Sequence, residues 1–330
     1  MKLSIVDLGT VAPGTTETDA LADALATASH AENLGFHRVL FAEHHLSRSG
    51  ASHYPELLIA AAATITSSIR LGSGAVLMNH YSPFKAAEMF QQLEALAPGR
   101  VDLGMGRATA GPILDAALQQ NRQHPAQVDH QQQVLETLAW LYESFPDDHP
   151  FHAHPLMPSV PSRPQTWLLG SSPNGSTLAA GLGIGYTFAG FIDPTGAAAA
   201  LRHYREVFQS QGFGLCSPRA ILAVNVAVGD TPRRGPAPGG LAQGLLRETR
   251  PRRPGGRICH GPHARRSRAR DDRGSESRAD FDHRRPVAPL RGRRARRGAR
   301  DPGTDGRRVR RRRDHGPRPD RRPGRPQALS

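Results

Sequence analysis

The sequence predicts a (β/α)8 barrel that lacks its last β/α unit and continues into a basic tail. Three observations predict it. Short apolar runs alternate with stretches of helical periodicity from residue 2 to about 229, giving seven strands in order. Strands that alternate with helices imply parallel β/α units. Polar and glycine-rich residues gather where these strands end, which is where a barrel carries its chemistry. A doubly wound open sheet is the runner-up; no GxGxxG follows the first strand, which weakens its dinucleotide-binding form.

The first strand is KLSIVDL, residues 2–8. Residues 17–36 keep apolar positions at helical spacing and stop at Gly35, a C-cap. RVLFAEHH, 38–45, is the second strand and runs without a break into Glu43, His44 and His45. PELLIAAAATITSS, 55–68, is helical with Pro55 near its start. IRLGSGAVLMNH, 69–80, is the third strand. Residues 82–99 form a helix with a Pro-Gly stop, and RVDLGMGRA, 100–108, the fourth strand. A polar stretch with helical segments reaches Pro164. Three strands follow, at 165–172, 185–192 and 219–230, separated by helices at 173–183 and 194–212.

The net charge of +14 points at first sight to a nucleic-acid or anionic partner. Its placement argues otherwise. Residues 1–230 carry 12 Lys plus Arg against 19 Asp plus Glu, whereas residues 231–330 carry 31 Arg, no Lys and 10 acids. The chain thus divides into a mildly acidic body, 1–229, and a basic tail, 230–330. The tail is mostly Arg, Pro, Gly and Ala and holds a single aromatic residue, Phe281. It keeps no helix or strand periodicity and cannot bury enough apolar surface to offset chain entropy, so disorder is expected. Its dominant residues all have GC-rich codons, as an out-of-frame reading of a GC-rich gene produces. A tail selected to bind nucleic acid mixes Lys with Arg and interleaves aromatics. Nucleic acid is therefore not expected as a partner.

Two cysteines, Cys216 and Cys259, make neither a disulfide framework nor a zinc spacing, and no metal is expected. The first residues hold only a short apolar run before Asp7, and nothing approaches the ~18 apolar residues of a membrane span. A cytoplasmic protein that stays off the membrane is expected.

The strand ends carry the candidate chemistry. LLGSSPNGSTLAAG runs from a strand through small polar residues into a helix. Backbone amides and short hydroxyls there can hold an anion, with Ser171, Ser172, Asn174, Gly175 and Ser176 as candidates; ordinary N-capping is the competing reading. Arg107 ends a neighbouring strand and can fork onto a phosphate. Gly72, Ser73, Gly74 and Ala75 would let a flat ligand approach the backbone, and Gly104 and Gly106 repeat the theme; a tight bend in the strand is the alternative. At Glu43-His44-His45 a metal lacks further ligands. Adjacent strand residues also face opposite ways, so unless the strand ends between His44 and His45 one inward imidazole is expected, acting as acid/base or hydrogen-bond donor; a strand-end His satisfied by a carbonyl is the competing reading.

Taken together, FAEHHL, the stretch 70–108 and WLLGSSPNGSTLAAGLGIGYTFAGF resemble the bacterial-luciferase-like family of flavin-dependent oxidoreductases over about residues 1–229. The resemblance implies a barrel that uses reduced FMN and O2 to oxidise a small organic substrate. A deazaflavin coenzyme serving hydride transfer is the alternative. Electrons would come from NAD(P)H or through a flavin reductase, and a second copy of the chain is a further implied partner. His44 matches the family's active-site histidine, with Glu43 orienting an imidazole. Arg107 and Ser171 to Ser176 match its phosphate-binding positions, and Gly74-Ala75 a bulge against the flavin, often with a cis peptide. Gly106 stands where luciferase itself carries a cysteine, which argues against light emission. Relatives continue with a further helix, an eighth strand and a final helix, where this chain has its Arg-rich tail. A barrel without them leaves two strand edges open, and such a chain is expected to fold poorly or be inactive.

Overall fold

The computed structural model describes residues 1–107, 111–118, 129–210, 212–226, 228 and, for the backbone, 244–249. The expected alternation is present. Strands β1 (Lys2–Asp7), β2 (Arg38–Phe41), β3 (Arg70–Ser73), β4 (Val76–Leu77), β5 (Val101–Gly106), β6 (Gln165–Gly170), β7 (Gly185–Ala189) and β8 (Ala220–Asn225) are followed by β9 (Gly244–Thr249). Helices α1 (Glu17–Asn33), α2 (Pro55–Ile65), α3 (Pro83–Leu96), α4 (Pro112–Leu118), α5 (His130–Tyr142), α6 (Pro173–Leu182) and α7 (Ala197–Glu206) lie between them. Among the described residues no helix is long and apolar enough to cross a membrane.

Local sequence explains where the helices begin. Thr16 accepts the Asp19 N–H while the Asp19 carboxylate accepts the Thr16 N–H, a reciprocal cap that opens α1. Ser82 accepts the Lys85 N–H, with Pro83 as the first residue of α3. Asp129 does the same for Gln131 and Gln132 at the start of α5. α1 buries Ala20, Ala24, Ala28 and Ala31, small residues on one stripe that let it lie close to the sheet.

Every pairing from β1 through β8 is parallel. β3 and β5 also pair directly, which joins the two ends of the strand order. The remaining gap, between β1 and β8, is filled by β9, antiparallel to both. This departs from the expectation in one respect. GLLRET lies in the stretch expected to have no strand, and the edges expected to stay open pair with it. Ladder hydrogen bonds are made by backbone groups of any sequence, so an unpaired edge can recruit a segment that has no strand pattern. The rest of the tail lies outside the described residues. Cys216 is disulfide-bonded.

Two further boundaries differ. The third strand, expected as one run over 69–80, is split into β3, β4 and a 3-10 turn at Met78–His80. The second strand ends at Phe41, four residues short of His45. There the chain turns aside to another partner: the His44 N–H donates to the Ser52 carbonyl at 2.9 Å, and the Ser52 hydroxyl donates to the Ala42 carbonyl at 2.6 Å.

Alternation sorts the strands into two cores. Val39, Phe41, Val101, Leu103 and Met105 face the helices in the larger cluster. Val6, Leu40, Trp167, Ile221 and Ala223 pack inside the barrel. Below them sits a buried ionic group. The Arg38 guanidinium lies 4.5 Å from the Trp167 ring centre and its Nε 3.4 Å from Asp102 Oδ2. Arg70 Nε donates to Asp102 Oδ1 at 3.0 Å. Burial by itself would raise the Asp102 carboxyl, but Arg38 and Arg70 outweigh it and hold the acid below its usual range.

Gly104 shows how tightly the inner wall is drawn. A Cβ there would stand 2.1 Å from the Ser73 carbonyl oxygen and 2.9 Å from Leu169 Cδ1. Gly104→Ala is expected to cost about 1–3 kcal/mol by overpacking, read as a lower urea midpoint with an unchanged m-value. A wild-type midpoint would show that the backbones are not this close.

Candidate active site

The strand ends open on one cleft of about 390 Å³. Its floor is the top of the barrel core: Val6, Leu8, Leu40, Leu169 and Ala223. One wall is Gly74, Ala75 and Gly106. The Gly74–Ala75 peptide is cis. A Cβ on Gly74 would stand 2.9 Å from Leu40 Cβ, and one on Gly106 would stand 2.9 Å from Ala75 Cβ. There is no room for a side chain at either glycine, and the wall they leave carries no group larger than the Ala75 methyl.

Glu43, His44 and His45 form a second wall. Because β2 ends at Phe41, the facing rule for adjacent strand residues does not reach them, and both imidazoles line the cleft. This corrects the expectation of a single inward ring. The loop behind them is well tied. His53 Nδ1 donates to the His44 carbonyl at 2.6 Å, and Leu46, at φ 51°, turns the chain away. Glu43 is buried, accepts the Leu77 N–H at 2.8 Å and pairs with His45 Nε2 at 2.8 Å. Desolvation pushes its carboxyl up to about 8. His44 is exposed to the cleft and bonded to the Leu8 backbone; desolvation sets its pKa below the ordinary value, so the ring is neutral at pH 7.

Arg107 and Ser171 complete the rim. The other candidates for anion binding are placed differently. Ser172, Asn174, Gly175 and Ser176 form the first turn of α6, outside the cleft lining. Ser176 is buried and its hydroxyl donates to the Pro173 carbonyl at 2.6 Å, while the Ser172 carbonyl accepts the Tyr186 hydroxyl at 3.1 Å. The Ser172 side chain makes no capping bond.

Several lining residues were not singled out from the sequence. Thr187 is buried in the barrel wall, and its hydroxyl has no partner among the described residues. Period-two alternation along the strand 185–192 could have found it. Ile192 is an exposed apolar residue at the mouth, beside Phe191, which stands at the strand end that the sequence places at the rim. Both follow the end of β7 at Ala189. No cluster of three or more His, Cys, Asp or Glu side chains among the described residues could hold a metal ion.

A sheet of parallel strands, closed by the antiparallel β9, that opens on a cleft at the strand ends defines a β/α barrel of the ligand-binding kind. Comparison with known proteins refines this class. The model of the luciferase-like monooxygenase family matches residues 1–234, and the chain belongs to that family. It is 41% identical over 232 residues to the uncharacterized protein YwcH of Bacillus subtilis, covering 70% of this chain and 69% of that protein. It is 38% identical over 211 residues to the N-acetyl-S-alkylcysteine monooxygenase of the same organism, covering 64% and 62%. Among solved structures, apo-MsnO8 aligns with a TM-score of 0.61 at 39% identity, covering 67% of this chain and 65% of that one. The chain thus matches about two thirds of the length of these relatives.

Proposed function

We propose that the cleft holds reduced FMN and that the chain uses O2 to oxidise a small organic molecule. The observation that carries this reading is the Gly74–Ala75–Gly106 wall, free of bulky side chains, that runs to Arg107 at the rim. A planar ring system suits such a wall, and a phosphate suits a guanidinium beside the start of α6. The partnerless Thr187 hydroxyl supports the fit, since it offers a hydrogen bond inside the apolar floor. When bound, reduced FMN supplies the electrons that activate oxygen. Arg107 and Ser171, at the rim, would hold the phosphate. His44, neutral and exposed to the cleft, accepts or returns a proton at its ring nitrogen. Phe191 and Ile192 cover the mouth with apolar surface and limit the entry of water.

The substrate class is open to a direct trial, because one relative is an N-acetyl-S-alkylcysteine monooxygenase. Oxygen uptake by the purified chain with reduced FMN and N-acetyl-S-methylcysteine tests both parts of the reading. Uptake with FMN but not with a deazaflavin supports it. Hydride transfer from a reduced deazaflavin without oxygen uptake replaces it with the alternative chemistry. An NAD(P)H-dependent flavin reductase is the proposed electron source.

Arg107→Ala is expected to weaken FMN binding roughly 10- to 100-fold, the worth of a charged hydrogen bond. Riboflavin, which lacks the phosphate, should bind both proteins alike. Equal losses for the two ligands in a fluorescence titration would remove Arg107 from the phosphate site.

The family match ends at residue 234, close to the change in composition. This supports the proposals that residues 230–330 are translated out of frame and that the chain is a poorly active relative. DNA in which a one-base shift near codon 229 restores barrel-like sequence bears out the first. A cooperative melt with stoichiometric FMN binding by the 330-residue protein removes the second.

A further inference from the structure

Behind the histidine wall of the cleft, two buried carboxyl groups share one phenol. Glu43 is 3% exposed; its Oε2 accepts the Leu77 N–H and its Oε1 meets His45 Nε2, each at 2.8 Å. Glu56, near the start of α2, is 9% exposed and accepts the Tyr81 hydroxyl at 3.4 Å. Its second oxygen, Oε2, has no hydrogen-bond partner among the described residues. Tyr81 also reaches Glu43. Besides His45, the groups among the described residues that bear on Glu43 are a backbone N–H, a phenol and a second acid, none of them a cation. A buried carboxylate without a cation is costly, whereas a neutral acid can donate a hydrogen bond.

We propose that Glu43 stands as a neutral acid whose proton is donated to His45 Nε2, which fixes His45 as the tautomer with its proton on Nδ1. His45 then serves the cleft as a neutral hydrogen-bond donor beside His44, and Glu43 is its positioning residue. The proposal rests on the reading of this cleft as the active site and adds a second histidine to it, with a defined proton.

The electrostatics agree with the geometry. Burial raises Glu43 most and Glu56 adds to it, the Leu77 N–H and Tyr81 pull it back, and the balance stands at about 8. Burial also lowers the His45 pKa, and His53 lowers it again, while Glu56 works the other way. The remaining groups around His45 are Tyr54 and His80, with ring centres at 5.7 and 6.0 Å; His80 in turn lies 3.6 Å from Asp115 on α4. Acid and imidazole are therefore both neutral at pH 7, and the one proton between them sits on the oxygen. As pH rises through about 8, Glu43 gives its proton to solvent. Nε2 must then become the donor, so the ring proton moves from Nδ1 to Nε2 with no change in ring charge. The cleft exchanges a donor for an acceptor. A carboxyl pKa raised on folding also gives a definite stability profile. The contribution is fully present below the unfolded value of about 4.5 and is lost as pH climbs to about 8.

The test is NMR on the flavin-free 330-residue chain with 15N-histidine and 13C-glutamate labels, titrated from pH 6 to 10. Wild type should show one glutamate with a midpoint near 8 and a His45 tautomer that changes at the same pH. Glu43→Gln keeps a donor toward Nε2 and an acceptor for Leu77; it should abolish that midpoint and hold His45 as Nδ1–H throughout. Glu56→Gln should move the midpoint down by removing a like charge, and Tyr81→Phe should move it up by removing a donor. A His45 carrying its proton on Nε2 at pH 7 overturns the proposal. So do equal-sign shifts from the last two variants, which test it even where Glu43→Gln does not fold. The readout needs no flavin, so failure to bind FMN and failure of this arrangement are separately visible.

Discussion

Asp102→Ala is expected to destabilise the chain by about 3–5 kcal/mol, the cost of leaving one partner of a buried ion pair without the other. Asp102 is fully buried and sits between Arg38, itself 1% exposed, and Arg70. Removing the carboxylate takes the Asp102 ion pair away from the Arg38 charge, which lies inside the barrel against the face of Trp167. Domains of this size have about 5–15 kcal/mol to lose, so the variant should melt many degrees lower. The apolar pair Arg38→Met with Asp102→Leu should recover part of the loss, because it removes the Arg38 charge with its carboxylate, while Arg70 keeps its bonds to the Gly99 and Val101 carbonyls. Urea unfolding of the two variants decides the matter. A loss below about 1 kcal/mol for Asp102→Ala would show that water reaches Arg38 and that the barrel floor is open.

His44→Ala is expected to lower turnover by about 10²- to 10⁴-fold, the range for removing a positioned acid or base. The melting temperature and FMN affinity should stay near wild type, since the side chain is exposed to the cleft and anchored only to the Leu8 backbone. The pH profile supplies an independent check. The His44 pKa is depressed by burial, so the base form is complete at neutral pH and is lost only as pH falls below the ordinary imidazole value of 6.5. Activity should therefore lose an acid limb in the variant while the alkaline side is unaffected. Oxygen-uptake rates from pH 5 to 8 measure this, and an unchanged acid limb would move the proton-transfer role to another group.

Much of the body was legible because period and punctuation speak locally. Gly35, at φ 76° just past α1, and Pro55, the first residue of α2, mark helix ends through contacts within a few residues. Arg107, Ser171, Gly74, Ala75 and Gly106 were found because they end strands, and parallel strands put their ends together. The same logic failed for His45. Its facing was argued as if β2 continued, but Ser52, ten residues beyond Ala42, takes the hydrogen bonds that would have prolonged the strand. Ser172, Asn174, Gly175 and Ser176 have the composition of an anion site, yet an intrahelical hydrogen bond commits the Ser176 hydroxyl elsewhere.

By itself, then, the sequence determined the β/α alternation, the rim on which the chemistry gathers, and the break in composition near residue 229. These depend on periodicity and on local capping, which act over three or four residues. Only the tertiary structure decided that Glu43 is buried against Leu77 and His45, that two imidazoles share the cleft, and that β9 bridges β1 and β8. The first rests on Leu77, 34 residues beyond Glu43, and the second on the bonds that Ser52 makes across the loop. The third rests on strand edges whose backbone must find a partner whatever side chains it carries. No local pattern encodes such meetings, because burial and ladder pairing act through space.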